Sequence, residues 1–94
     1  MQSSGCIANM RIHFSTRYDK EYRRLTAKLQ QQADDRIRLF ISNPFHPLLS
    51  NHQLGGKFEG CRSINVTGDY RAIFETRGET YLFVRIGTHP QLYG

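Results

Sequence analysis

The sequence predicts an α+β fold in the order β-α-α-β-β-β, a helical hairpin packed on one side of a mostly antiparallel four-stranded sheet. Three observations carry that prediction. Apolar residues recur at helical spacing over 16–42, with Tyr18, Tyr22, Leu25 and Leu29 at steps of four, three and four. Alternation with a period of two marks 57–67, 70–75 and 80–86. Turn-forming groups, Thr67-Gly68-Asp69 and Arg77-Gly78-Glu79, separate those three runs.

The elements follow in order. Residues 1–9 are expected to form a disordered leader, with one domain over 10–94 and Met10 as a candidate start. Met10, Ile12 and Phe14 share a face of a first strand. Ser15 or Thr16 is suited to cap a helix of about 16–29. Ala33, Ile37, Phe40 and Ile41 mark a second helix over about 32–42, with the break placed at Gln30-Gln31-Gln32, because one 27-residue helix would overrun so small a domain. Asn43-Pro44 ends it, since proline disfavours a helical conformation in the residue before it. Residues 43–56 read as a long loop punctuated by Pro44, Pro47, Gly55 and Gly56. In the strand that follows, Arg62, Ile64 and Val66 share one face and Cys61, Ser63 and Asn65 the other. Tyr70, Ala72 and Phe74 alternate with Arg71, Ile73 and Glu75, and Tyr81–Ile86 runs into Gly87.

A chain of 94 residues supports one modest core, filled here by six Phe and five Tyr. No stretch near 20 apolar residues is present, so no membrane-spanning helix is expected. The N-terminus lacks the pattern of a secretory signal, and Cys6 and Cys61 do not make a disulfide framework, which favours a reducing cytoplasmic setting. His46, His52 and Cys61 match no zinc-ligand spacing, and neither metal nor cofactor is expected. A net charge of +5 points to an anionic partner, nucleic acid or an acidic protein.

The chemistry concentrates near the C-terminus, where His89 and Tyr93 follow the last strand. His52 sits beside an irregular segment, a place where scaffolds display functional groups; His13 and His46 read as surface and turn residues. Phosphodiester cleavage without metal needs a base for the ribose 2′-hydroxyl, an acid for the departing 5′-oxygen and cations for the charge on phosphate. Imidazole titrates near neutrality, and guanidinium donates paired hydrogen bonds to phosphate. Arg62, Arg71 and Arg85 come from three consecutive strands, Asp69 opens the middle one, and Tyr70 and Tyr93 offer faces for base stacking. The competing reading is a sheet with solvated arginines and a C-terminal tail lock.

Three segments carry a resemblance to a known family. Residues 53–62, QLGGKFEGCR, resemble the loop-to-strand passage of the RelE/ParE superfamily of bacterial toxins; 66–74, VTGDYRAIF, resemble its central hairpin; and 86–94, IGTHPQLYG, resemble its C-terminal signature in the YafQ-like branch. The resemblance covers about 10–94. It implies the toxin of a type II toxin–antitoxin pair, a metal-independent endoribonuclease that cleaves mRNA at the ribosome, with a cognate acidic antitoxin as its protein partner. It implies His52, Asp69, Arg71, His89 and Tyr93 as catalytic residues, beside Lys57, Arg62, Tyr70 and Arg85 as RNA contacts. Tyr93 replaces a phenylalanine of the branch, and Tyr70 stands where tryptophan is usual. Asn65 stands where YafQ-like enzymes carry a further histidine, so proton transfer would rest on His52, His89 and Asp69. Two rival functions share the fold: a ParE-like inhibitor that binds DNA gyrase without hydrolysis, and an inactive homologue that only binds an antitoxin.

Overall fold

The computed structural model describes residues 11–93. The expected leader, 1–9, and Met10 lie outside them. The elements are β1 (Arg11–Phe14), α1 (Thr16–Arg23), α2 (Ala27–Ser42), β2 (His52–Gln53), β3 (Cys61–Asn65), β4 (Tyr70–Arg77), β5 (Thr80–Thr88) and α3 (His89–Tyr93). Single 3₁₀ turns at Pro47–Leu49 and Gly56–Phe58 shape the connections around β2.

The sheet order is β1-β5-β4-β3-β2, with β1 parallel to β5 and every other pair antiparallel. The α+β class holds, with five strands in place of four. The added strand is β2, two residues drawn from the segment 43–56 that reads as loop. Two residues leave no periodicity to detect; the pairing is set by β3, which offers an edge once β4 has taken its other side.

The hairpin breaks earlier than the Gln run. The Ser15 hydroxyl accepts from Tyr18 N at 3.0 Å to start α1, and the Thr26 hydroxyl accepts from Leu29 N at 3.2 Å to start α2. Glutamine is a good helix former, so Gln30–Gln32 stay inside α2, and the Gln30 amide donates to Tyr22 O at 3.0 Å across the break.

The helices bury their apolar stripe against one face of the sheet. Phe40 is fully buried and meets Phe74, Tyr81 and Phe83 edge-on, with ring centroids 4.9, 5.1 and 5.5 Å away. Such edge-to-face pairs each add about 0.5–1.5 kcal/mol beyond the area they bury. Ile64, Val66, Ala72 and Ile86 complete this side, as their alternation requires. Ile73 and Leu92 are equally buried but lie outside that cluster. Ile73 alternates to the opposite face, the one over which α3 returns.

β1 stops at Phe14, so beyond Phe83 the edge of β5 has no neighbouring strand. α1 closes it instead: the Ser15 hydroxyl donates to Val84 O at 3.0 Å, and Ile86 N donates to the Glu21 carboxylate at 3.0 Å. An irregularity at Val84 shifts the β4–β5 register between Ile73 and Phe74. No helix among the described residues is long and apolar enough to cross a membrane.

Candidate active site

Strand register assembles the site. His52 pairs with Ser63 and Ser63 with Ile73, so these three residues form one row on the face away from α1 and α2; Arg85 pairs with Ile73 but follows the irregularity at Val84 and turns its head to Glu21 of α1. Asn65, Arg71 and Gly87 form the next row on that face. Tyr70 pairs with Thr88, the last pair of β4 and β5; Asp69 precedes that pair along the chain and His89 follows it. Asp69, Arg71 and His89 are thereby gathered at one end of the β4–β5 pair.

α3 is built by a reciprocal cap. Thr88 N donates to the Gln91 side-chain oxygen at 2.8 Å, and Gln91 N donates to the Thr88 hydroxyl at 3.3 Å. This is the Thr-x-x-Gln capping pattern, and Pro90 sits in the first turn, where its missing N–H is harmless. The sequence reading missed α3, although Thr88-His89-Pro90-Gln91 carries this signal. Gly87 lets the helix lie close: a Cβ there would stand 2.9 Å from the Gln91 Oε1 and 3.6 Å from a Leu92 methyl.

His89 and Tyr93 are one helical turn apart, and their rings pack at a tilt of 33° with centroids at 4.6 Å. Tyr93 also meets Phe58 edge-on at 5.3 Å, and the Lys57 ammonium lies 5.5 Å from the Phe58 ring centre. α3 therefore reaches from the end of β5 to the connection between β2 and β3, at Phe58, six residues after His52. Phe58 joins the site without having been singled out from sequence: it falls in the run 57–67 that reads as strand, whereas the structure places it in a 3₁₀ turn before β3 begins at Cys61.

The polar groups are poised differently. Arg71 is half-buried, and its guanidinium donates to Gly68 O at 3.1 Å and Thr67 O at 3.4 Å, which holds it over the β3–β4 turn. It forms no ion pair among the described residues. Asp69 is exposed on that turn, whose shape is set by the Thr67 hydroxyl accepting from Asp69 N and Tyr70 N. His52 is exposed, with Nδ1 2.7 Å from Ser50 O. A carbonyl only accepts, so in the neutral ring Nδ1 carries the proton and Nε2 is left as the free base. His46 has a structural role, accepting from Leu48 N at 3.1 Å to cap the 3₁₀ turn.

Three of the expected RNA contacts turn away from the His52 face. Arg62 shares the helix-side face with Ile64; its Nε donates to the Asn51 side chain at 2.7 Å, and its guanidinium lies 5.4 Å from the Phe45 ring centre. Tyr70 packs partly against the helix-side core. Arg85 pairs with Glu21, with Nη2–Oε2 and Nε–Oε2 both at 2.9 Å, and the two side chains are only 12% and 19% exposed. Each of the three reads as a sheet residue with a cationic or aromatic head, and only neighbouring elements reveal what that head faces.

Burial, and to a lesser degree Glu75, pushes the Cys61 thiol above its ordinary value, so it is a poor nucleophile at neutral pH. No group of three or more His, Cys, Asp or Glu side chains placed to hold a metal ion occurs among the described residues. The chemistry on offer is imidazole and carboxylate near one end of the sheet, beside a guanidinium that pairs with no carboxylate among the described residues and an aromatic wall.

Residues 10–94 match the family described as the bacterial toxin of type II toxin–antitoxin systems, YafQ. The crystal structure of YafQ from E. coli strain BL21(DE3) superposes with a TM-score of 0.77 at 22% identity, covering 90% of this chain and 99% of that one. YafQ in the E. coli DinJ–YafQ toxin–antitoxin complex gives 0.76 at 24% identity over 92% and 99%. A YoeB/ParE toxin from Agrobacterium tumefaciens gives 0.70 at 21% identity over 85% and 99%. A search of curated protein sequences returned no match. With nearly its whole length matched by the family and its fold shared with solved YafQ structures, the chain belongs to the YafQ family of bacterial type II toxin–antitoxin toxins.

Proposed function

We propose that this toxin is a metal-independent endoribonuclease that cleaves mRNA, acting at the ribosome. The observation that supports the reading is the register Tyr70↔Thr88, which brings the chain ends carrying Asp69 and His89 to the same end of β4 and β5, with Arg71 one pair away. In the proposed reaction the 2′-oxygen attacks phosphorus, its proton passes to a base, and the P–O5′ bond breaks as an acid protonates the leaving oxygen. His89 serves as one of these two groups and Asp69 orients or deprotonates its partner. His52, on the same face with a free Nε2, is the second imidazole. Arg71 and Lys57 stabilise charge building on the phosphate oxygens, and Tyr93 offers its ring to a base. The products are a 2′,3′-cyclic phosphate and a 5′-hydroxyl.

The E. coli homologue has been crystallised with the antitoxin DinJ. A cognate acidic antitoxin is the corresponding partner here, consistent with a net charge of +5, and a cytoplasmic setting suits both partners.

The test is expression of wild type and His89→Ala with primer extension on cellular transcripts. Wild type should arrest growth and create new transcript ends; His89→Ala should reduce cleavage about 10²–10⁴-fold, the usual contribution of a general acid or base. A substrate with 2′-deoxyribose at the cut site should resist. Arrest accompanied by loss of DNA supercoiling, with intact transcripts, would transfer the reading to gyrase inhibition.

A further inference from the structure

Tyr70 and Arg85 do not point at the His52 face, yet both line one cavity. It has a volume of about 330 Å³ and lies between α1, the ends of β4 and β5, and α3, with Arg17, Arg24 and Gln91 on its walls. A second cavity of about 390 Å³ adjoins it along α1, sharing Arg17, Glu21 and Arg24 and adding Lys20. Together they make a trough whose cations recur along one face of α1 at 17, 20 and 24. Its single carboxylate, Glu21, is already held by Arg85 at 2.9 Å and by Ile86 N, and touches Arg17 only at 3.8 Å where that guanidinium is largely exposed. Lys20 and Arg24 form no ion pair among the described residues. The trough is therefore strongly positive.

We propose that this trough is a phosphate-binding track for single-stranded RNA, with Tyr70 as a base platform at its inner end. The proposal rests on the RNA-cleaving reading above and extends it to a second surface. Gln91 lies two residues from His89, about 200° around the helix, so trough and His89 flank opposite sides of α3. α3 is five residues long, and a strand leaving His89 reaches the trough by rounding that helix. Tyr70 is packed against the core on one side, which immobilises its ring for stacking. An acidic protein segment fits the surface less well. The large exposed apolar side chains that would anchor one, Phe14, Ile41, Phe45 and Leu48, all lie outside the trough.

The probe is a fluorescent twelve-nucleotide RNA with 2′-O-methyl sugars, which cannot be cut by 2′-oxygen attack. Anisotropy at several salt concentrations compares wild type, Tyr70→Leu, His89→Ala and the triple variant Arg17→Gln/Lys20→Gln/Arg24→Gln, each checked for an unchanged melting temperature. The triple variant should bind at least about tenfold more weakly at 100 mM salt, with the slope of log K against log salt reduced by about 2, as expected for three lost single-strand phosphate contacts. Tyr70→Leu should weaken binding without changing the slope, and His89→Ala should keep the slope. Poly-glutamate should bind far more weakly than RNA. An unchanged affinity and slope in the triple variant, no salt-dependent binding by wild type, or equal binding of poly-glutamate would each overturn the trough. If wild type cleaves transcripts while the triple variant binds normally, only the trough fails. If wild type cleaves nothing while the triple variant loses binding, only the nuclease reading fails.

Discussion

Two arginines show how one position decides a role. Arg62 and Arg71 both lie in strands, but Arg62 shares its face with Ile64 and Arg71 shares its own with Ile73. Arg62 consequently packs among Asn51 and Phe45, while Arg71 lies over the β3–β4 turn that carries Asp69. Tyr18 shows the same dependence on surroundings. Its hydroxyl is pushed above the ordinary 10.0, first by burial and then by the nearby Asp34, Tyr22 and Asp19. Burial and the hydrogen bond to Asp34 push Tyr22 the same way. A raised value means that the folded chain holds the proton after the unfolded chain has released it. The stabilisation is complete below pH 10 and is lost as the pH climbs towards the folded value. Urea melts at pH 9, 10 and 11 should show wild type losing up to about 1.4 kcal/mol per pH unit more than Tyr18→Phe above pH 10. Coincident slopes for the two proteins would rule out Tyr18 as the source.

Among the elements, α3 is the one most exposed to a single change. It is five residues long, too short to be stable alone, and is held by its cap, by Leu92 and by the closeness of Gly87. Gly87→Ala would push the Gln91 amide off Thr88 N, breaking the reciprocal cap. The loss should be about 1 kcal/mol in stability, the usual cost of a lost helix cap. RNA cleavage should fall more steeply than stability, because His89 and Tyr93 ride on this helix. Denaturant melts and a cleavage assay on the same preparation check this; wild-type cleavage by a destabilised variant would refute the coupling. α3 was legible in Thr88-x-x-Gln91 but overlooked. The position of the hairpin break was set by the Thr26 cap, a local signal that the Gln run obscured.

At the level of the fold, one aromatic cluster ties the helices to the sheet. Phe40 enters from α2 between Phe74 of β4 and Tyr81 and Phe83 of β5. Phe40→Ala should cost about 3–5 kcal/mol, a large part of the 5–15 kcal/mol that holds a typical domain. A urea midpoint shifted by less than about 1 kcal/mol would mean that the helices are anchored elsewhere. This clustering was readable in advance, because Phe40 sits on the helical stripe with Ala33 and Ile37, and Phe74 alternates with Ala72. Class, strand alternation and the helix-side core follow from local periodicity, because a buried face imposes its repeat on the residues that form it. The residue types suited to RNA cleavage were visible for the same local reason. Which of them come near one another is a matter of long-range register and packing: Tyr70↔Thr88 brings the segments carrying Asp69 and His89 to one end of the sheet, Glu21 claims Arg85 from 64 residues away, and Phe58 reaches Tyr93. Periodicity along a strand specifies a face but not a neighbour, and it is the packing of distant segments that supplies the neighbour.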